Sequence, residues 1–150
     1  MRYLMAALIL VSSSTVLGEP IEDAVKARQG FFTMLSANMG PLSGMVKGEL
    51  DYDEATATMY GSNIEALSQY GLPMHFPKGS STDELGEATG AKSKIWTDLE
   101  GFKQKFADFQ KAAEGAGESV KGGKSNVGPV VKGLGKTCKS CHDEFRVKND

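Results

Sequence analysis

Val127-Gly128-Pro129-Val130-Val131-Lys132-Gly133-Leu134-Gly135-Lys136-Thr137-Cys138-Lys139-Ser140-Cys141-His142-Asp143-Glu144-Phe145 is the stretch on which the fold turns. Val127, Val130, Leu134, Cys138, Cys141 and Phe145 recur at intervals of three, four or their sum, which places them on one stripe of an α-helix. Ser125 is the candidate N-cap, and Pro129 is close enough to the first turn to be tolerated. Both cysteines of the chain lie on the stripe, in C-x-x-C-H, the attachment sequence of c-type haem. On a helix Cys138 and Cys141 stand at i and i+3 and His142 at i+4, so two thiols and an imidazole project from nearly one face. The thiols can add to the two vinyl groups of a porphyrin edge while the imidazole ligates the iron. The competing readings are a disulfide, a redox pair and half of a zinc site. A closed zinc site takes four ligands, yet His75 is the only other histidine. A redox C-x-x-C belongs near the start of a helix after a strand, and this one lies late in a terminal helix.

At the other end, Met1-Arg2 is a short positive start and Tyr3 to Val11 an almost unbroken apolar run, followed by small residues up to Gly18. That pattern predicts a secretory signal peptide over 1–18, too short in its apolar part for the roughly 20 residues of a membrane span. The remaining 19–150 form one domain, exported to the periplasm. The net charge of −2 becomes −3 when Arg2 is removed, and this mildly acidic balance offers nothing to nucleic acid.

Three further helical patterns precede the first. Ile21, Val25, Phe32, Leu35 and Met39 share a stripe that also carries Arg28, and Gly40-Pro41 predicts a kink or break before Leu42 to Lys47. Asp51 or Asp53 can cap a second helix, with Tyr52, Ala55, Met59, Ala66 and Tyr70 on its apolar face. Leu72 to Gly90 reads as a long connection rich in Pro, Gly, Ser and Thr. Ile95, Leu99, Phe102, Phe106, Phe109 and Ala113 predict a third helix, fraying among Gly115, Gly117, Gly122 and Gly123. No stretch alternates with period two. Four amphipathic helices imply an all-α, antiparallel up-down-up-down four-helix bundle with one covalently bound haem filling much of its core. Gly101, Gly133 and Gly135 inside helices are explained by close helix or porphyrin approach.

A C-terminal haem motif in an exported four-helix chain resembles the class II cytochromes c, specifically the cytochrome c′ family, whose members are among the recognised four-helix bundles. Besides Cys138 to Arg146, the residues that carry the resemblance are Glu22 to Gln29, Val46-Lys47-Gly48, Phe76-Pro77-Lys78-Gly79-Ser80 and Ile95-Trp96. It covers nearly all of 19–150. Low-spin members of this class bind iron through a methionine four residues after the first-helix arginine, and here Arg28 plus four is Phe32. The resemblance therefore implies a five-coordinate haem with an apolar distal cap. Met34 points about 200° away from Phe32 and Met39 lies about 10 Å further along the helix. Met45, Met59 and Met74 read as core or surface residues, and His75 sits in the loop beside Pro77.

The resemblance also assigns Gln29 to the haem edge, Thr89 to a loop contact with a propionate and Arg146 to the proximal face. Arg28, a charge on an apolar stripe, needs a partner, and a propionate is a suitable one. Lys132, Lys136 and Lys139 form a solvated stripe or a docking patch. The implied function is binding of nitric oxide and carbon monoxide at ferrous iron, with nitric oxide protection, and the alternative is periplasmic electron transfer with a redox partner. Catalysis ranks last because no distal histidine and arginine pair lies on the Phe32 stripe. A homodimer through the first two helices is implied, with Ala27, Phe31 and Met34 as the exposed apolar surface.

Overall fold

The computed structural model describes residues 19–148, so the expected signal peptide lies outside the described residues. Helix α1 runs over Glu19–Lys47 with Pro20 in its first turn, where a missing N–H costs nothing. It continues through Gly40-Pro41 instead of breaking there. Pro41 forfeits one internal hydrogen bond, at a cost of about 3 kcal/mol. Burial on both sides outweighs that: Phe31, Leu42 and Met45 are each at most 2% exposed. Gly48, at φ +82°, ends the helix in the left-handed region that glycine adopts freely.

Helix α2 spans Glu54–Ser68, and of the two candidate caps it uses Asp53, whose carboxylate accepts from Thr56 N at 2.8 Å. Its buried face is Ala57, Gly61, Ile64 and Ser68 rather than the expected stripe; Met59 is 50% and Tyr70 43% exposed. Hydropathy favoured Met59 and Tyr70, but packing put Ile64 inside and demanded no side chain at Gly61. A Cβ on Gly61 would lie 2.7 Å from Ala116 O, so the backbone of a short turn, Ala116–Ser119, rests directly on α2. Tyr52 Oη donates to Val120 O at 2.9 Å and accepts from Gly123 N at 3.2 Å, securing the same approach.

The expected third helix is divided. Lys94–Thr97 forms one turn, Asp98 interrupts it and recaps the chain by accepting from Gly101 N, and α3 follows as Leu99–Ala113. Gly101 is thereby explained: a Cβ there would sit 2.6 Å from the Asp98 carboxylate. Helix α4 covers Lys124–Phe145 and begins after Gly123, at φ +129°, with no side-chain cap; Ser125 is already inside it. Gly133 and Gly135 meet no protein atom within 4 Å of an added Cβ, so helix approach does not account for them.

The connection from Leu72 to Gly90 is more ordered than expected. It contains 3-10 turns at Leu72–His75 and Gly86–Ala88 around a helical turn at Thr82–Leu85. Ser81 and Glu84 cap that turn reciprocally. An isolated antiparallel bridge joins Ala91 to Arg146, just past α4. Each long helix packs on its chain neighbours and α4 closes the ring on α1. The result is the expected antiparallel four-helix bundle. Two apolar clusters fill it, one around Phe31, Ile64, Phe109 and Leu134 and one around Ile95, Phe102 and Phe145.

Gly61→Ala should lower stability by about 1–3 kcal/mol, since backbone and not a flexible side chain must move. Gly133→Ala, an open helix position, should be neutral or stabilising by up to ~1 kcal/mol. Urea denaturation of the two variants checks the contrast.

Candidate functional site

Between the two clusters lies a cavity of about 1320 Å³ lined from α1, the 76–91 connection, α3 and α4. Cys138, Cys141 and His142 all reach it from the inner face of α4. Both thiols are free and half-buried. Burial pushes the Cys138 thiol up, and pushes Cys141 up to about 11 against the opposing pull of Lys105. Burial first, and the Arg146 charge second, hold the His142 imidazole below its ordinary value. The motif thus presents two buried thiols and an imidazole whose burial favours its neutral form, the form that ligates a metal.

Phe32 faces the same cavity from α1, with its ring centroid 6.1 Å from that of His142 and the two planes at 69°. Met34 is exposed and does not line the cavity, whereas Met39 lines it about 10 Å further along α1. Met59 and Met74 are on the surface and Met45 is in the core. His75 does not line the cavity; its Nε2 meets Tyr70 Oη at 2.5 Å.

Arg28 is 3% exposed and makes no ion pair among the described residues. Its Nη1 donates to His75 O and Ser80 Oγ at 3.3 and 2.8 Å, its Nη2 to Ser80 O and Thr89 Oγ1, both at 2.6 Å, and it lies 4.6 Å over the Phe76 ring. Four of its five N–H groups are therefore satisfied by neutral acceptors and the charge itself is not neutralised. The structure brings Thr89 onto Arg28 directly, a pairing that the separate sequence assignments did not contain. Gln29 lies at the cavity rim, donating to Ala88 O at 2.9 Å. Arg146 leaves the helix in an extended conformation, lines the cavity and passes within 3.5 Å of a Cβ built on Gly90.

Two contributors escaped the sequence reading. Ser80, fully buried, supplies two of the four acceptors for Arg28. Lys105 lines the cavity from α3, bonded to Ser140 Oγ at 2.8 Å and paired with Glu144 at 2.6 Å. Lys105 falls three residues after Phe102 and four before Phe109, a charge on an apolar stripe like Arg28, and that signal was available. Lys132, Lys136 and Lys139 are exposed, with Lys139 paired to Asp143 at 2.5 Å.

These features fit a large apolar ligand that carries acid groups and a metal with its own equatorial donors. Among the described residues no three His, Cys, Asp or Glu side chains are placed to hold a bare ion. One imidazole facing a phenyl ring instead suits an iron already held by a porphyrin, and the unneutralised Arg28 suits its carboxylates.

Comparison with known proteins agrees. The family model for cytochrome c′ matches residues 23–146. The cytochrome c′ of Cereibacter sphaeroides is 35% identical over 147 residues, 98% of either chain. The solved cytochrome c′ of Rhodobacter sphaeroides superposes with a TM-score of 0.81 at 37% identity, covering 86% of this chain and 98% of that one. A variant of the Alcaligenes xylosoxidans cytochrome c′ solved as a nitric oxide complex has a TM-score of 0.71 at 30% identity, covering 85% and 97%.

Arg28→Leu leaves the buried Ser80 O unpaired, removes one bond each from Ser80 Oγ and Thr89 Oγ1, and should cost about 2–3 kcal/mol. Limited proteolysis should then cut within residues 76–91 faster than in the wild type, where Arg28 holds that segment.

Proposed function

Because the chain belongs to the cytochrome c′ family and is a c-type haem protein, we propose that it binds nitric oxide and carbon monoxide at a five-coordinate ferrous iron. The observation that carries this reading is the Phe32 ring across the cavity from His142, 6.1 Å between centroids, at the sequence position that carries the methionine ligand in the low-spin members of the class this chain resembles. Cys138 and Cys141 hold the porphyrin through thioethers and His142 ligates the iron. Bound haem supplies an iron with one open coordination position for a diatomic ligand. Phe32 keeps that position dry and offers no hydrogen bond, which disfavours dioxygen relative to nitric oxide. Arg28 and Thr89 set the propionate end, Gln29 covers the edge, and Arg146 borders the proximal side of His142. The nitric oxide complex of a relative supports the choice of ligand.

Export to the periplasm by the 1–18 signal peptide suits the thioether chemistry, and among the described residues no helix is long and apolar enough to cross a membrane. The second reading is electron transfer to a periplasmic redox partner, favoured by the exposed Lys132 and Lys136 on α4 beside the haem motif. A homodimer through α1 and α2 is also proposed, with its surface reassigned. Phe31 is 2% exposed and belongs to the core, while Met34 and Met59 are each half exposed.

Phe32→Met should convert the iron to a low-spin, six-coordinate form and slow gas binding, and Phe32→Ala should speed it; absorption spectra and stopped-flow mixing with nitric oxide read both. A low-spin wild-type spectrum would transfer the assignment to electron carriage. Met34→Lys with Met59→Lys should shift the sedimentation of a wild-type dimer toward monomer.

A further inference from the structure

Phe31 and Phe32 are consecutive on α1 but diverge: both line the cavity, yet Phe31 is buried and turns outward to Tyr70. Ring centroids run 5.4 Å from Phe32 to Phe31, 5.7 Å from Phe31 to Tyr70 and 5.4 Å from Tyr70 to His75, with the last two rings within 8° of parallel. Tyr70 Oη meets His75 Nε2 at 2.5 Å, and Tyr70 is 43% exposed. A continuous aromatic file therefore leads from the cavity to the surface and ends in a phenol bonded to a base. Among the described residues no other tyrosine has such a partner; Tyr52 donates to the backbone carbonyl of Val120, which cannot take a proton.

The terminal pair has a specific chemistry. Removing an electron from a phenol makes it strongly acidic, so the electron leaves readily only when the proton has somewhere to go. An imidazole nitrogen in hydrogen-bond reach, as His75 Nε2 is, offers such a place. The phenyl rings of Phe31 and Phe32 are too hard to oxidise to hold the charge themselves, but their contacts shorten the gap that an electron must tunnel across. Gas binding uses none of this.

We propose that Tyr70 and His75 are a proton-coupled redox site that drains oxidising equivalents from the haem cavity to the surface. The oxidant is hydrogen peroxide reacting at the open coordination position, so the inference rests on the five-coordinate reading. With no distal acid–base pair that reaction is slow and is a route to damage rather than turnover, and an oxidising equivalent left in the cavity would attack its own lining. In each one-electron step the Tyr70 O–H bond breaks, the electron passes inward along the file and the proton moves to His75 Nε2, leaving a neutral phenoxyl. A soluble reductant such as ascorbate returns the electron, and His75 returns the proton. Over two such steps one peroxide takes two electrons and two protons and leaves as two waters, while one ascorbate gives up the same number and is oxidised.

The test is freeze-quench electron paramagnetic resonance of the ferric holoprotein mixed with hydrogen peroxide, with ring-deuterated tyrosine to identify the radical. Wild type should give a tyrosyl signal that ascorbate removes. Tyr70→Phe, which keeps the ring stack, should abolish it, and Tyr60→Phe should leave it unchanged. His75→Phe, which keeps the ring and the backbone carbonyl but not the base, should slow radical formation roughly 10²-fold, the lower end of what a positioned base contributes. An unchanged radical in Tyr70→Phe, an unchanged rate in His75→Phe, or peroxide consumed by wild type without a protein radical overturns the proposal. Nitric oxide titration of the same samples separates the two readings: normal binding with no radical sinks the redox site alone, and absent binding sinks the five-coordinate reading beneath it.

Discussion

A guanidinium that cannot reach water organises this molecule. Burying the Arg28 charge in a helix bundle would cost several kcal/mol if its N–H groups were left unpaired. They are satisfied by acceptors drawn from residues 75, 80 and 89, so one side chain of α1 gathers three points of the connection that follows α2. The connection is held from within as well, by Ser80 Oγ donating to Pro77 O, by the reciprocal cap of Ser81 and Glu84, and by Ala91 N donating to Thr89 Oγ1. What composition describes as loop is therefore a wall.

That wall ties the two sides of the cavity together. Lys92 N donates to Phe145 O and Val147 N to Gly90 O, both at 2.9 Å, so the segment anchored on Arg28 at one end is pinned to the terminus of α4 at the other. Phe32 sits four residues after Arg28 and His142 four residues before Arg146, and the separation of those two rings depends on this strap. Lys105, bonded to Ser140 and Glu144, fixes α4 from the α3 side. Part of the interior is thus committed to holding a cavity open between two apolar clusters, with the haem completing the packing.

The step from Phe31 to Phe32 shows how one residue of helical advance, about 100°, separates two environments. Phe32 meets His142 across the cavity, their ring planes at 69°. Phe31 reaches between Phe106 and Tyr70 and joins the core to the surface. The same turn of α1 serves closure on one side and connection on the other.

Local pattern determined what depends on local pattern. The period of α3 and α4, a cap at Asp51 or Asp53, and the convergence of Cys138, Cys141 and His142 on one face follow from 3.6 residues per turn and the reach of a side chain, and all were legible in the chain; the structure chose Asp53. The charge at 28 was legible as an anomaly on an apolar stripe, whereas Phe32 was an ordinary member of that stripe and took its assigned role from family resemblance alone. Tertiary structure decided the rest. It carried α1 through Pro41, because burial on both sides exceeded one lost hydrogen bond. It put Gly61 on the inner face of α2, because the backbone at Ala116 and Gly117 comes too close for a Cβ. It buried Phe31, which was expected on an exposed apolar surface, and it brought Ser80 and Thr89 to Arg28 across more than fifty residues of chain. Such partners are chosen by the volume that remains once helices have packed, a quantity that no window of sequence contains.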